Sequence, residues 1–541
     1  MASGLLLAAR PSRRAGLLVL ALAALVLGSG AALRSTEYDE TYTRLVTSPV
    51  PRPAWPEGVF TPEDAAPVLD ATAGPVAIAR NLRKTDVHPP LYFWLAGIWR
   101  QAGGTSVEAL RALSVLLALG AVAAFMGAAS VAGLPPLATG LGTVLSFGFA
   151  YTGGVARGFA LGHLLLGLGT LAMLLAWRRQ SAWWAAGGGL AAGGASFANY
   201  LAAFPGAALV AWPLLAPLPW RKRIGLTLAA GLAFTLVQLG NLAFFLVQRG
   251  SRPDQFEAFD PLAALRLIGQ FNAANLFGGL PLYAEGPMRA LLAAALSGLL
   301  LLAAAAVALR WRAIGPTRWL WLGGFLAPSA GLLLLSAASG ALPIELRYLA
   351  FAAPFAAALL AGAAAGWSVQ APRLAPAAFV LVLLVQAAGA VGMVLHPATR
   401  QAYRDAFATI DPLLGSDTLL LVPRGNDGVG IVGAVLAEAP PHQPMLILRS
   451  GQAAMLPSQL NGRERVVLLG ITDRDGAEQA KAARAVLASA GGWVATEIWR
   501  DDRRGFAATL IQRVRPGPIS RMADRAESLV VRGTNDGGEE P

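Results

Sequence analysis

Two carboxylates stand side by side in the stretch TEYDETYTRLV (36–46), where Asp39 and Glu40 follow directly on an apolar run. Neighbours on a helix point about 100° apart, so at most one of the pair faces a given pocket. A further acid, Asp86, opens DVHPPLYFWL (86–95), two residues before His88. The two prolines there fix the entry into a helix. Arg157, in YTGGVARGFAL (151–161), is flanked by Gly153, Gly154 and Gly158. Glycines permit close backbone approach, which leaves the guanidinium free to reach a phosphate. Arg347, in ELRYLAF (345–351), either pairs with Glu345 or faces a ligand beside Tyr348. Arg111 begins another apolar run, where snorkelling to the headgroups is the simpler reading. Carboxylates can take up a proton, and arginines can hold a phosphate by two parallel hydrogen bonds. The four histidines (His88, His163, His396, His442) and the absence of cysteine exclude histidine-rich metal clusters, thiolate zinc sites and cysteine nucleophiles.

The elements that must position these groups are membrane spans. The chain has 541 residues, 55% of them hydrophobic and 14% charged, whereas a soluble domain carries about 25% charged residues. Apolar stretches near 15–33, 109–131, 137–153, 159–177, 183–199, 201–218, 225–247, 288–309, 319–335, 348–366 and 374–395 predict eleven spans in a polytopic α-helical membrane protein. The first reads as a retained anchor, because its apolar run is longer than the core of a signal peptide. The segment 89–99 carries Tyr92, Trp94 and Trp99 and is too short to cross, so it reads as an interfacial helix. With that segment lying flat, the clusters Arg10/Arg13/Arg14, Arg178/Arg179, Arg221/Lys222/Arg223, Arg310/Arg312/Arg318 and Arg373 all fall on one side. The excess of basic residues in cytoplasmic loops then places the amino terminus inside a bacterial cytoplasmic membrane. The loops 34–108 and 248–287, and everything after 396, face outward. The net charge of +12 sits in these short clusters rather than on one stripe, which argues against nucleic acid.

Residues 1–396 thus form the membrane module, 397–515 a small α/β domain, and 516–541 a disordered tail rich in Gly, Arg and Glu. Within the α/β domain, helical patterns at 402–410, 431–437 and 477–490 alternate with strand patterns at 418–422, 445–448, 465–469, 494–499 and 507–512. Gly428, Gly430 and Gly433 spell a literal G-x-G-x-x-G. Five residues separate the strand from the first glycine, and Arg449 rather than an acid ends the next strand. A dinucleotide fingerprint needs the turn directly after the strand, so this is a glycine-rich loop.

Four of these stretches, in this order, resemble the C-type membrane glycosyltransferases. The similar branch is glycosyltransferase family 39, which contains the protein O-mannosyltransferases and the aminoarabinose transferase. The segments that carry the resemblance are Asp39-Glu40, His88 to Tyr92, Leu110-Arg111 and Ala156 to Leu161, with Arg347 to Leu349 as a similar late motif. It covers residues 15–200 well and the rest in outline. The resemblance implies transfer of a sugar, with inversion, from a polyprenyl-phosphate donor to a hydroxyl acceptor (lipid, glycan or protein) at the outer face of the bilayer. It places the general base on Asp39 with Glu40 beside it. It places donor-phosphate contacts on Arg157, then Arg347, Arg111 and His88, and substrate contacts on Asp86, Tyr92 and Tyr348. Some relatives use a divalent metal; Asp86 and His88 would offer two ligands, too few to define a site. Many relatives carry Glu where this chain has Val155. The stretch 248–287, with Asp254, Glu257, Asp260, Asn272, Asn275 and Glu285, is where acceptor recognition is expected.

Two other classes compete. A transporter or flippase of a lipid-linked glycan intermediate would share the composition, yet transporters often show two similar halves, and no such duplication is visible. An assembly factor would leave the gathering of carboxylates and arginines unexplained.

Overall fold

A computed structural model describes residues 6–9, 11–50, 52, 54–248, 257–396, 402–426, 428–460, 462–471, 474–502 and 504–513. The predicted tail and Asp254 lie outside the described residues. In chain order the α-helices are α1 (Arg13–Leu33), α2 (Tyr38–Val46), α3 (Pro62–Asp70), α4 (Pro75–Thr85), α5 (Leu91–Gly103), α6 (Val107–Ala132), α7 (Pro136–Leu145), α8 (Phe147–Gly153), α9 (Phe159–Arg179), α10 (Ala182–Ala198) and α11 (Ala203–Ala211). They continue as α12 (Trp220–Gln248), α13 (Pro261–Phe277), α14 (Gly286–Leu309), α15 (Arg318–Ser339), α16 (Ala353–Ser368), α17 (Leu374–Leu395) and α18 (Tyr403–Ile410). Then come strand β1 (Thr418–Pro423), α19 (Gly430–Glu438), β2 (Met445–Leu448), α20 (Leu456–Gln459), β3 (Arg465–Ile471), α21 (Arg474–Ser489), β4 (Trp493–Asp501) and β5 (Phe506–Arg513). Short 3₁₀ turns include Leu346–Ala352, which runs into α16.

The chain divides into two compact units. The first comprises Met1–Ala54, Asp64–Asp405 and Val429–Glu438. Eight helical stretches among its described residues are long and apolar enough to cross a bilayer. They are α1, α6, α9, α12, α14, α15, the stretch Leu346–Ser368, and α17. Only 6% of the apolar window of α14 is buried inside the protein, at a mean hydropathy of 2.4. A surface that apolar requires a bilayer around it. Leu346–Ser368 sits at the other extreme, with 78% buried, in the centre of the bundle. Helix α1 is built into this body: Ala23 and Leu27 are fully buried in one apolar cluster with Ala118, Ala121 and Val122 of α6.

Eight of the eleven expected spans coincide with these helices, and the other three differ. The predicted span 137–153 is broken at Ser146, which takes an extended conformation (φ −65°, ψ 130°) between α7 and α8. Thr143 and Ser146 turn their hydroxyls back onto the carbonyls of Thr139 and Thr143. The span 201–218 is a 3₁₀–α–3₁₀ succession, Tyr200–Leu215. The span 183–199 is the 17-residue α10. Helix α5 has 13 residues, a rise of about 20 Å against a hydrocarbon core of roughly 30 Å, as expected for a helix that does not cross. Arg100 ties it to the end of α2, donating to the carbonyl of Arg44 at 2.8 Å and to the Thr47 hydroxyl at 2.7 Å.

The second unit comprises Trp55–Glu63, Ala406–Gly428 and Ala439–Pro541. Its five-stranded sheet has the order β2-β1-β3-β5-β4. β1 pairs in parallel with β2 and β3, and β5 runs antiparallel between β3 and β4. The amphipathic α21 buries Ala480, Ala483 and Leu487 against Leu419, Leu421, Val466 and Leu468. Phe60 adds an isolated antiparallel bridge to Met445.

Candidate functional site

The site begins where α1 ends. Helix α2 is opened by a capping box, in which the Glu40 carboxylate accepts the Glu37 backbone N–H at 3.1 Å. That turns Glu40 into the bundle, where it is fully buried and held by Arg111 Nε at 2.9 Å and by the backbone N–H of Ala156 at 3.0 Å. Burial alone would raise the Glu40 carboxyl. The Arg111 charge and hydrogen bonds, with Arg34 and the Ala156 N–H, outweigh it and hold the group below its ordinary value. Arg111 spends its remaining donors on the carbonyls of Ala31, Arg34 and Ser35. All five of its N–H groups are therefore occupied within the protein.

Glu40 and Arg111, expected at the reacting centre and on a phosphate, are here occupied with each other and with backbone groups, and stitch α1, α2 and α6 together. Tyr92, expected to contact substrate, is likewise engaged within the protein. It is fully buried, its hydroxyl meets Ser114 at 3.2 Å, and its ring packs edge-on against Phe93.

Asp39, one residue earlier on α2, points elsewhere. It forms a close ion pair with Arg347 at the head of the 3₁₀ turn, and its other oxygen lies 3.9 Å from Arg157. Arg157 is carried between α8 and α9, where Gly158 packs so closely that a Cβ would lie 2.1 Å from the Ala198 carbonyl oxygen. The guanidinium is buried, pairs with Asp86 at 3.3 Å, and lies 3.0 Å from His88 Nδ1 and 5.5 Å from the centre of the Phe93 ring. Asp86 accepts from the Val87 N–H and meets His88 Nδ1 at 2.8 Å. Burial would raise the Asp86 carboxyl, but the Arg157 charge, with the hydrogen bonds from His88 and the Val87 N–H, holds it far below the carboxylate range. Burial and the Arg157 charge push His88 below its ordinary value despite Asp86, so the ring is neutral at pH 7. Arg347 also pairs with Glu345 at 2.9 Å and lies over the Tyr348 ring at 5.4 Å.

Asp39, Asp86, His88, Arg157, Arg347 and Tyr348 thus converge from four parts of the sequence. Among the described residues no group of three or more potential ligands could hold a metal ion. Asp86 and His88 hold each other with a guanidinium against both, an arrangement that does not fit a divalent cation.

Where described, the loop residues expected to recognise an acceptor take these places in the fold. Asp260 caps α13 by accepting the Ala263 N–H, Asn272 donates to Ser329, and Asn275 donates to the Leu346 carbonyl at 2.6 Å. Asn275 thereby anchors the turn that carries Arg347. Glu257 contributes backbone pairing to Leu342, and Glu285 precedes α14.

Sequence reasoning missed Arg34, Glu37 and Tyr151. Arg34 is buried over the Tyr151 ring at 4.4 Å and donates to its carbonyl, while the Tyr151 hydroxyl donates to Glu37. A charged residue just past a span reads as ordinary juxtamembrane solvation, and the partner is 117 positions away.

The architecture and site define a multi-pass helical membrane protein with an ionic cluster at one end of its bundle. Several solved structures are similar to it. ArnT from Cupriavidus metallidurans, bound to undecaprenyl phosphate, aligns at a TM-score of 0.44 and 14% identity over 91% of this chain and 97% of that one. The arabinofuranosyltransferase AftD from Mycobacteria aligns at 0.44 and 15% identity over 95% of this chain and 42% of its own. An Archaeoglobus fulgidus oligosaccharyltransferase aligns at 0.38 and 13% identity, covering 83% and 67%. No protein-family profile and no curated sequence matches the chain.

Proposed function

We propose that this protein is an inverting glycosyltransferase that moves a sugar from a polyprenyl-phosphate donor to a hydroxyl acceptor on the outer face of the membrane. The observation that carries this reading is Asp39 lying against two guanidiniums, Arg347 and Arg157, where helices leave the apolar body. A carboxylate bridging two arginines occupies the place an anion would take. A donor phosphate entering there exchanges for Asp39 on one or both arginines, and the released carboxylate lone pair faces the acceptor hydroxyl.

In the reaction the acceptor oxygen bonds to the anomeric carbon as the bond from that carbon to the phosphate oxygen breaks. Asp39 takes the hydroxyl proton, and the phosphate leaves with the bonding electron pair and added negative charge. Arginines stabilise that charge more strongly in the transition state than before it. No acid is needed for a phosphate leaving group, which suits a neutral His88 and an ionised Asp86 that orient Arg157.

The orientation is part of the proposal. Arg157 stands at the start of α9 and Arg178 and Arg179 at its end. Arg221 to Arg223 open α12, whose last residue, Gln248, donates to the His88 carbonyl at 3.1 Å. The basic clusters therefore lie at the helix ends remote from the site, and the preference of such clusters for the cytoplasm turns the site outward.

The test supplies full-length protein in nanodiscs with polyprenyl-phosphate sugars and envelope acceptors extracted from a strain lacking it. Release of polyprenyl phosphate together with a glycosylated acceptor is the expected result. Movement of intact lipid-linked glycan across liposomes without bond cleavage contradicts the proposal and supports a flippase.

A further inference from the structure

Helix α19 follows β1 in sequence but belongs to the membrane unit, where it packs on α2. Two of the glycines that spell the false dinucleotide motif explain how. A Cβ on Gly433 would lie 2.0 Å from Thr41 Cγ2, and one on Gly430 would lie 2.2 Å from the Tyr38 ring. The two helices touch so closely that neither glycine can be enlarged without moving a side chain of α2. At its far end, Glu438 accepts the Thr36 N–H at 2.8 Å and meets Arg404 at 3.4 Å. Arg404 in turn donates to the carbonyls of Ala32 and Leu33, and its own N–H reaches the Ser35 hydroxyl. These contacts fix both the entry into α2 and the face behind Asp39, from residues that follow the last span by many positions.

We propose that Gly430, Gly433, Glu438 and Arg404 are positioning residues for the proposed transfer: α19 and Arg404 in the first turn of α18 set the placement of α2, and hence of Asp39 against Arg347 and Arg157. The inference rests on the functional reading above. None of the four touches the phosphate-binding arginines, so their effect falls on proton removal more than on donor affinity.

The test compares wild type, Gly433→Ala, Thr41→Ser and the double variant as full-length proteins, with melting temperature measured alongside donor and acceptor kinetics. A Cβ at position 433 meets the Thr41 methyl, which serine lacks. Gly433→Ala alone is expected to lose roughly ten- to a hundredfold in kcat, the scale of a misplaced catalytic group, with donor KM nearly unchanged. Thr41→Ser in the same chain restores most of it. A second pair avoids any packing collision: Glu438→Gln, which keeps the acceptor oxygen, retains most of the turnover that Glu438→Ala loses.

Wild-type kcat in Gly433→Ala, or a double variant no faster than the single one, overturns the inference while leaving the transferase reading intact. A wild-type protein that transfers no sugar removes both.

Discussion

At the residue scale, the adjacent carboxylates have different partners, Asp39 with Arg347 and Glu40 with Arg111. Glu40 is buried with Arg111, and breaking a buried ion pair costs about 3–5 kcal/mol because the partner is left uncompensated. Glu40→Gln keeps the shape but removes the charge, so its expected effect is a markedly lower melting temperature rather than a selective loss of turnover. A melting curve equal to wild type contradicts that assignment. The sequence placed Asp39, Asp86, Arg157 and Arg347 as polar groups beside spans. It could not say which arginine was already spoken for, since Arg111 finds Glu40 at a separation of 71 residues.

His88 and Asp86 carry a pH signature. His88 has a folded-state pKa below its ordinary 6.5, so the unfolded chain binds more protons as pH falls below about 6.5, and stability drops with it. Asp86, held below 3.8, adds its own loss only as pH falls beneath that value. Melting temperature recorded from pH 7.5 to 5.5 is expected to decline less steeply in His88→Asn than in wild type. Parallel curves would contradict the lowered pKa of the His88 imidazole.

At the element scale, function depends on helices that hydropathy reads as continuous. The run 137–153 is uniformly apolar and small, yet it breaks at Ser146, and α8 then delivers Tyr151 and the Arg157 turn to the site. Hydropathy averages over such a break because one extended residue changes no composition. The glycine-rich turn was legible for its close approach. Gly158→Ala places a Cβ against the rigid Ala198 carbonyl rather than a movable side chain. The expected result is a tenfold or greater loss of donor affinity through displacement of Arg157, roughly the 1.5–3 kcal/mol of a charged hydrogen bond. Unchanged donor binding in that variant would detach Arg157 from the phosphate. Every strand and helix expected between 402 and 512 is present, the helix at 431–437 belonging to the first unit, because period-2 and period-3.6 patterns there are separated by turns.

At the scale of the whole molecule, the proposed membrane orientation rests on basic clusters at the helix ends remote from the site. The chain contains no cysteine, so single cysteines can be introduced without background. Cysteines at the exposed positions 52 and 84, in the loop that carries Asp86, and at 442 are expected to react with a membrane-impermeant thiol reagent in intact cells, and those at the exposed positions 178 and 221 only after permeabilisation. The reverse pattern would put the site where nucleotide sugars, not lipid-linked ones, are available.

The central claim is that Asp39 removes the acceptor proton while its neighbouring arginines hold the phosphate. The most direct measurement is single-turnover sugar transfer by Asp39→Asn beside direct binding of the polyprenyl-phosphate donor to the same protein. Asparagine keeps the shape and loses the basic oxygen, so turnover should fall on the order of 10²–10⁴-fold while the donor binds as tightly as in wild type, or more tightly once Arg347 is released. Near-wild-type turnover in a folded, donor-binding Asp39→Asn protein would contradict the account.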